Sequence, residues 1–263
     1  MDLGIKDRVA VVAASSSGLG KAVAWGLAKE GARLAICARA RSALEATAEE
    51  IRRGTGAEVM ARALDVTVYN DVRRFVAEAT ERFGRLDICV ANAGGPPGKT
   101  FAETTIEDWQ AAASLNLMST VHFAKEALPT MQRQRWGRFI AIASVAAKQP
   151  VEGLILSNSV RAGVAGLMKT LANEYGRYGV LVNTVCPGYT ATARLVELSR
   201  RLAAKEGVDP AGIEERWAHQ TALGRVGQPE EFADLVVFLA SERASYITGA
   251  SVAVDGGLVK GLY

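Results

Sequence analysis

Short runs of β-branched and aliphatic residues alternate along this chain with longer stretches whose apolar positions recur every three or four residues. These are the periods of buried strands and of helices packed on them. A strand over residues 8–13 leads into a helix over 18–30, and a strand over 33–38 into a helix over 42–53. The pairing repeats with a strand at 58–66 and a helix at 71–83, then with strands at 86–91, 138–144 and 180–185 separated by helices at 106–131 and 157–175. A polar, helical excursion over 193–219, a helix over 229–241 and a last strand around 250–254 complete the pattern. Strands that are apolar on both faces belong in a parallel sheet covered on each side, because parallel neighbours need crossover connections. The expected fold is α/β: a doubly wound, Rossmann-like parallel sheet of about seven strands with helices on both faces.

No repeat, low-complexity tract or Pro/Gly/Ser-rich linker divides the 263 residues, so one domain over 1–263 is expected. The excursion carries Arg200, Arg201, Lys205, Glu206, Glu214 and Glu215. Two readings stay open for it, a mobile lid at 193–219 over a site and a solvated helical surface.

Composition narrows the function classes. At 49% hydrophobic and 22% charged residues the chain is too apolar for a disordered tail. Its 31 basic and 28 acidic residues are scattered rather than striped, which argues against nucleic acid. Cys37, Cys89 and Cys186 have no C-x-x-C spacing, and with only His122 and His219 beside them they assemble no metal cluster. Reduced thiols, the lack of an ~18-residue apolar run and an opening without a leader pattern give the expectation of a cytoplasmic protein without a membrane partner, acting on a small molecule.

The first strand runs into Ala13-Ala14-Ser15-Ser16-Ser17-Gly18-Leu19-Gly20 and then a helix. Such a turn aims backbone N–H groups and a helix N-terminus at a diphosphate, Gly18 and Gly20 allow close approach, and the serine hydroxyls add donors. The turn resembles the T-G-x-x-x-G-x-G motif of the short-chain dehydrogenase/reductase family, with Ala13 and Ala14 in place of Thr and the first Gly. Further matches follow in order: Asp65-Val66, where the family contacts adenine; Asn92-Ala93-Gly94 within Ala91–Gly94; and Pro187-Gly188-Tyr189-Thr190-Ala191-Thr192, where the family's P-G loop reaches the nicotinamide carboxamide. The C-terminal run Gly224-Arg225-Val226-Gly227-Gln228-Pro229-Glu230-Glu231, with Val254-Asp255-Gly256-Gly257, is similar to members related to 3-oxoacyl carrier-protein reductases. The resemblance implies a cofactor site on Ala14 to Gly20, Asp65, Val66, Asn92, Ala93, Gly94, Pro187, Gly188, Thr190 and Thr192, and a homodimer or homotetramer built through the Asn116 and Ser157 helices. Arg39 ends the second strand, where an arginine pairs with the extra phosphate of NADP and an acid would bind the ribose of NAD, so NADP(H) is expected over NAD(H). Plainer readings remain beside these: Asp65 and Thr192 as caps, Asn92 as a backbone partner, Arg39 as a surface cation.

At the catalytic end the family uses Ser, Tyr and a Lys four residues after the Tyr, with an Asn on the preceding helix. Asn116 and Ser144 match the Asn and the Ser; as plain residues they would be a buried amide and a strand-end cap. Counting on from Ser144 by the family's interval reaches Ser157 and Arg161, and no Tyr-x-x-x-Lys occurs anywhere in the chain. A positioned general acid is worth roughly 10²–10⁴ in rate, so the loss is large yet smaller than the whole acceleration typical of enzymes. Three functions stay in play: an NADP(H)-dependent carbonyl/alcohol oxidoreductase with an atypical proton donor, Ser157 through a water or Tyr189; a dinucleotide-binding sensor or non-catalytic subunit; and cofactor-assisted chemistry without net redox. Residues 95–98, 149–155 and 193–219 are the expected walls of the substrate pocket, and their apolar content suggests a neutral or partly hydrophobic ligand.

Overall fold

In a computed structural model that describes residues 1–262, the first strand, β1 (Val9–Ala13), buries all five of its side chains. Along the chain follow α1 (Gly18–Lys29), β2 (Arg33–Ala38), α2 (Arg41–Thr55), β3 (Val59–Ala63), α3 (Tyr69–Phe83), β4 (Ile88–Ala91), α4 (Ile106–Ala112) and α5 (Ser119–Gln134). Then come β5 (Gly137–Ile142), α6 (Ile155–Tyr175), β6 (Val180–Pro187), α7 (Ala193–Glu206), α8 (Pro210–Gln220), α9 (Pro229–Ala240) and β7 (Ser251–Val254).

The alternation within β1 explains the layers. Ala10 and Val12 join one apolar cluster with Val23 and Leu27 of α1, Ile51 of α2 and Val236 of α9. Val9, Val11 and Ala13 join the opposite cluster with Phe75 of α3, Phe123 of α5 and Val164 of α6. Successive side chains point to opposite faces of a strand, so a run apolar at every position needs a helical layer on both sides. Each fully buried Val, Leu or Phe contributes roughly 1.5–3 kcal/mol.

All seven strands are parallel, in the order β3-β2-β1-β4-β5-β6-β7. The doubly wound sheet expected from the sequence is present. Connections leave in opposite directions from β1 and β4, and a crevice opens at the carboxyl ends of strands where the order reverses. None of the described helices is long and apolar enough to cross a membrane.

Two stretches differ from the sequence reading. The single helix expected at 106–131 is interrupted by a π-helical turn over Ala113–Met118, between α4 and α5. Ser119 and Thr120 hydroxyls donate to the Leu115 and Asn116 carbonyls at 2.6 and 2.9 Å, adding partners to the widened turn. The excursion at 193–219 is a hairpin of two helices. Gly207 ends α7 at φ +69°, and Asp209 caps α8 by accepting the Ala211 N–H at 2.7 Å, with Pro210 at its first position. Ala203, Ile213 and Trp217 give the hairpin a small core of its own.

Candidate functional site

A cleft of about 1020 Å³ runs across the carboxyl ends of the strands from Arg39 to Arg201. Its nucleotide end is made mostly of backbone. After β1 the chain turns with Ala14 at φ +51° and Gly18 at φ +55°, both left-handed. A Cβ on Gly20 would overlap the Ala14 carbonyl and lie 2.9 Å from Asn92 Nδ2, so only glycine lets α1 start here. Ser16, Ser17 and Leu19 line the cleft at that helix N-terminus, where unpaired N–H groups favour an anion. Ser15 does not share this position. It is fully buried, its hydroxyl donating to Val12 O at 2.7 Å and its N–H to Cys37 O at 3.0 Å, which corrects its expected place among the phosphate donors.

Arg39 and Asp65 face the same end from the tips of β2 and β3. The Thr67 N–H, at 2.9 Å, holds the Asp65 carboxyl below the usual range, helped by the Thr67 hydroxyl at 2.8 Å and the Arg39 charge. Val66 is buried beside it, its carbonyl 3.0 Å from His122 Nδ1. Asn92 donates to Ala13 O at 3.3 Å and ties the end of β4 to that of β1, leaving Ala93 and Gly94 on the cleft wall. Across the cleft, Pro187 closes β6 and the Gly188 N–H donates to Val254 O at 3.0 Å; a Cβ there would meet Asp255. Thr190 is buried, and Thr192 caps α7 by accepting the Leu195 N–H at 3.3 Å. The Thr192 methyl lies against Gly18, so the phosphate-type turn and the start of α7 meet. The Gly20 cradle, the free helix N-terminus and the length of the cleft fit a dinucleotide.

The other end, where the sequence reading placed catalysis, is made of side chains. Ser144, just beyond β5, accepts the Ala146 N–H at 3.1 Å, which leaves its own O–H to donate into the cleft. Ser157 and Arg161 stand one turn apart on α6 and both face the cleft. The Arg161 guanidinium is already engaged: Nη1 donates to Ile142 O at 2.6 Å and Nη2 to Gly94 O at 3.5 Å, while Nε is buried without a partner. Burial, with the nearby Arg194 charge, pushes it down to about 10. Asn116 lies behind the wall, in the π-turn; its Nδ2 donates to the same Gly94 carbonyl at 2.6 Å, and its Oδ1 is buried without a partner. Tyr189 is turned away, stacked on Trp217 at 5.1 Å with its hydroxyl donating to Gln220 Oε1 at 3.0 Å. Among the described residues no group of His, Cys, Asp and Glu could hold a metal. The three cysteines are free and buried, and burial pushes the Cys37 thiol up to about 12.

Several lining residues escaped the sequence reading as site residues, Arg194, Glu197 and Arg201 among them. Arg194 bridges the cleft mouth, Nη1 donating to Gly95 O at 2.9 Å and Nη2 to Pro96 O at 3.2 Å, and Arg201 lines the same wall. Their spacing of seven residues puts them on one helix face, a signal readable in retrospect. Of the expected substrate walls, residues 95–98, Leu154 and the first helix of the excursion face the cleft.

The family model described as enoyl-(acyl carrier protein) reductase matches residues 13–259. The 3-oxoacyl-[acyl-carrier-protein] reductase FabG of Aquifex aeolicus is 33% identical over 258 residues, 98% of this chain and 100% of that one. The solved L-sorbose reductase of Gluconobacter frateurii, complexed with NADPH and L-sorbose, superposes with a TM-score of 0.95 at 36% identity, covering 100% of both chains. An actinorhodin polyketide ketoreductase with NADPH superposes at 0.92 with 33% identity, covering 97% of this chain and 98% of that one.

Proposed function

We propose, from the premise that this chain belongs to the short-chain dehydrogenase/reductase family of oxidoreductases, that it interconverts a carbonyl compound and an alcohol with NADP(H). The observation that carries the reading is one continuous cleft joining the Gly20 cradle to the Ser144 hydroxyl. The bound dihydronicotinamide would supply the hydride.

The chain's own residues hold and protonate the substrate oxygen. Ser144, with an acceptor lone pair already taken by Ala146 N–H, donates its O–H to the carbonyl oxygen. Ser157, beside it on the wall, passes a proton to the same oxygen through a water. A serine alcohol is a far weaker acid than the phenol the family uses there, so proton delivery limits the rate. Arg161 places positive charge behind the two serines. Its donors are on Ile142 and Gly94 carbonyls, so it orients the end of β5 and the loop after β4 and is a weaker ribose ligand than a lysine. Arg39 sets the preference for NADP over NAD by pairing with the extra phosphate. The hairpin of α7 and α8 acts as the lid, hinged where it joins the rest of the chain at Thr192 and Thr221.

One observation favours a second reading, a dinucleotide-binding subunit without turnover: among the described residues no phenol, imidazole or ammonium lines the cleft. Loss of NADPH absorbance over a panel of ketones and aldehydes separates the two. Turnover with at least one neutral or charged carbonyl is expected; stoichiometric cofactor binding without oxidation across the panel would leave the second reading in place.

A further inference from the structure

The cleft wall facing Ser144 carries more charge than carbonyl reduction needs. Arg194 and Arg201 present their guanidiniums from one face of α7, and Arg161 adds a third from α6. Arg201 Nη2 lies 3.8 Å from the position of a Cβ on Gly98, so Arg194 and Arg201 reach over the loop of residues 95–98. Two carboxylates line the cleft. Asp65 belongs to the nucleotide end beside Arg39, which leaves Glu197 against three guanidiniums.

Elsewhere some exposed arginines are paired, as in Arg216 with Glu206 at 2.7 Å and Arg225 with Glu231 at 2.6 Å, while others such as Arg73 and Arg177 stand alone among the described residues, scattered on the surface. Among the described residues, none of Arg161, Arg194 and Arg201 has a carboxylate within 4.0 Å. Burial, and then the Arg201 charge, lower Arg194 against an opposing pull from Glu197, and burial, and then the Arg194 charge, lower Arg161, so Arg194 is repelled by a neighbour on either side. Like charges gathered in a concave site, three guanidiniums against the single carboxylate of Glu197, attract an anion.

We propose that this arginine face binds an anionic oxygen group, a carboxylate or a phosphate, on the carbonyl substrate, with Arg201 as the specificity-determining contact. This deepens the reductase reading and rests on it for the word substrate. The planar guanidinium fork matches both anions in bidentate geometry. The cofactor's own phosphates are the competing source, and Arg194 stands near enough to the Gly18–Thr192 junction to serve them. Arg201 lies two turns further along α7, about 10 Å of helix, over Gly98 and away from that junction. The arginines point to a charged ligand where the apolar content of the sequence suggested a neutral or partly hydrophobic one, because charges on an isolated polar helix look like a solvated face.

The test is calorimetry on the NADP⁺-saturated protein, where a ketone binds without being reduced. Probes are 4-oxopentanoate against its methyl ester and hydroxyacetone phosphate against hydroxyacetone. At least one anion is expected to bind about tenfold or more tighter than its neutral counterpart, the gain of a charged hydrogen-bonded pair. Which pair shows the gap decides between carboxylate and phosphate. R201M is expected to remove most of that ratio and R201K to keep part of it, with the NADP⁺ dissociation constant unmoved by either. Equal binding within both pairs, no measurable binding of either anion, a ratio indifferent to R201M, or a loss that follows weakened NADP⁺ binding overturns the proposal. If the anion discrimination stands while no probe is turned over with NADPH, the reductase reading fails and the anion site remains.

Discussion

The two ends of the cleft are built from different materials. At the nucleotide end the contacts are backbone: a turn of left-handed residues, a glycine that admits the helix, and strand tips stitched together by Asn92. At the catalytic end they are single side chains, Ser144, Ser157 and Arg161, on two elements. A backbone cradle tolerates changes in side-chain identity as long as the turn closes, and Ala14 shows this by standing at a glycine position. A side-chain constellation has no such tolerance, because replacing a phenol by an alcohol changes acidity and reach at once. On the proposed reading the molecule therefore keeps the cofactor end of its family and departs from it where protons would move.

The largest expected effect comes from filling the cradle. Gly20→Val sets branched carbon against the Ala14 carbonyl, which belongs to the backbone and cannot swing aside. NADPH affinity, followed by the change in cofactor fluorescence, should fall by at least about 10²-fold, with overpacking lowering stability by roughly 1–3 kcal/mol. Near-normal affinity in the variant would mean that the cofactor does not approach this turn.

Next in size is the repair of the other end. Ser157→Tyr combined with Arg161→Lys returns a phenol and an ammonium at helical spacing of four. Turnover of a carbonyl already accepted should rise by about 10²-fold, the lower part of the range for a positioned general acid. A fall in turnover with cofactor binding and folding intact would show that Ser157 and Arg161 are fitted to chemistry of their own.

Arg39→Ala tests a side chain within the backbone end. NADPH affinity should drop by roughly tenfold or more, the contribution of hydrogen bonds to a charged group, while NADH affinity stays the same. Equal losses for both cofactors would mean that Arg39 supports the site structurally, through its charge on Asp65.

This same division decides what the sequence revealed. The strand and helix order followed from side-chain periodicity, and the cofactor turn from glycines placed between a strand and a helix, because both are local in the chain. The π-turn that carries Asn116 was not legible: its apolar spacing reads as one helix, and the extra residue per turn shows only when Nδ2 meets Gly94 O. Ser15 was misplaced because a run of three serines does not say which hydroxyl turns inward to Val12. Arg194 and Arg201 were hidden for the opposite reason. They lie on a polar helix whose charges resemble solvation until the loop of residues 95–98 is seen beneath them.

The smallest effect probes how far the cradle's tolerance extends. Ala14 holds φ +51°, where a Cβ crowds the backbone at a cost of roughly 1–2 kcal/mol relative to glycine. Ala14→Gly removes that strain and adds freedom to the unfolded chain, which gives back about 0.4–1 kcal/mol. The balance is a gain of up to about 1.6 kcal/mol, or a thermal midpoint higher by up to roughly 3 °C in a chain of this length. Scanning calorimetry on the two proteins reads this directly. A lower midpoint for the glycine variant would mean that the methyl group packs well enough to outweigh its own backbone strain. The nucleotide end would then depend on side-chain fit as closely as the catalytic end does, and the contrast between them would narrow to the identity of the proton donor.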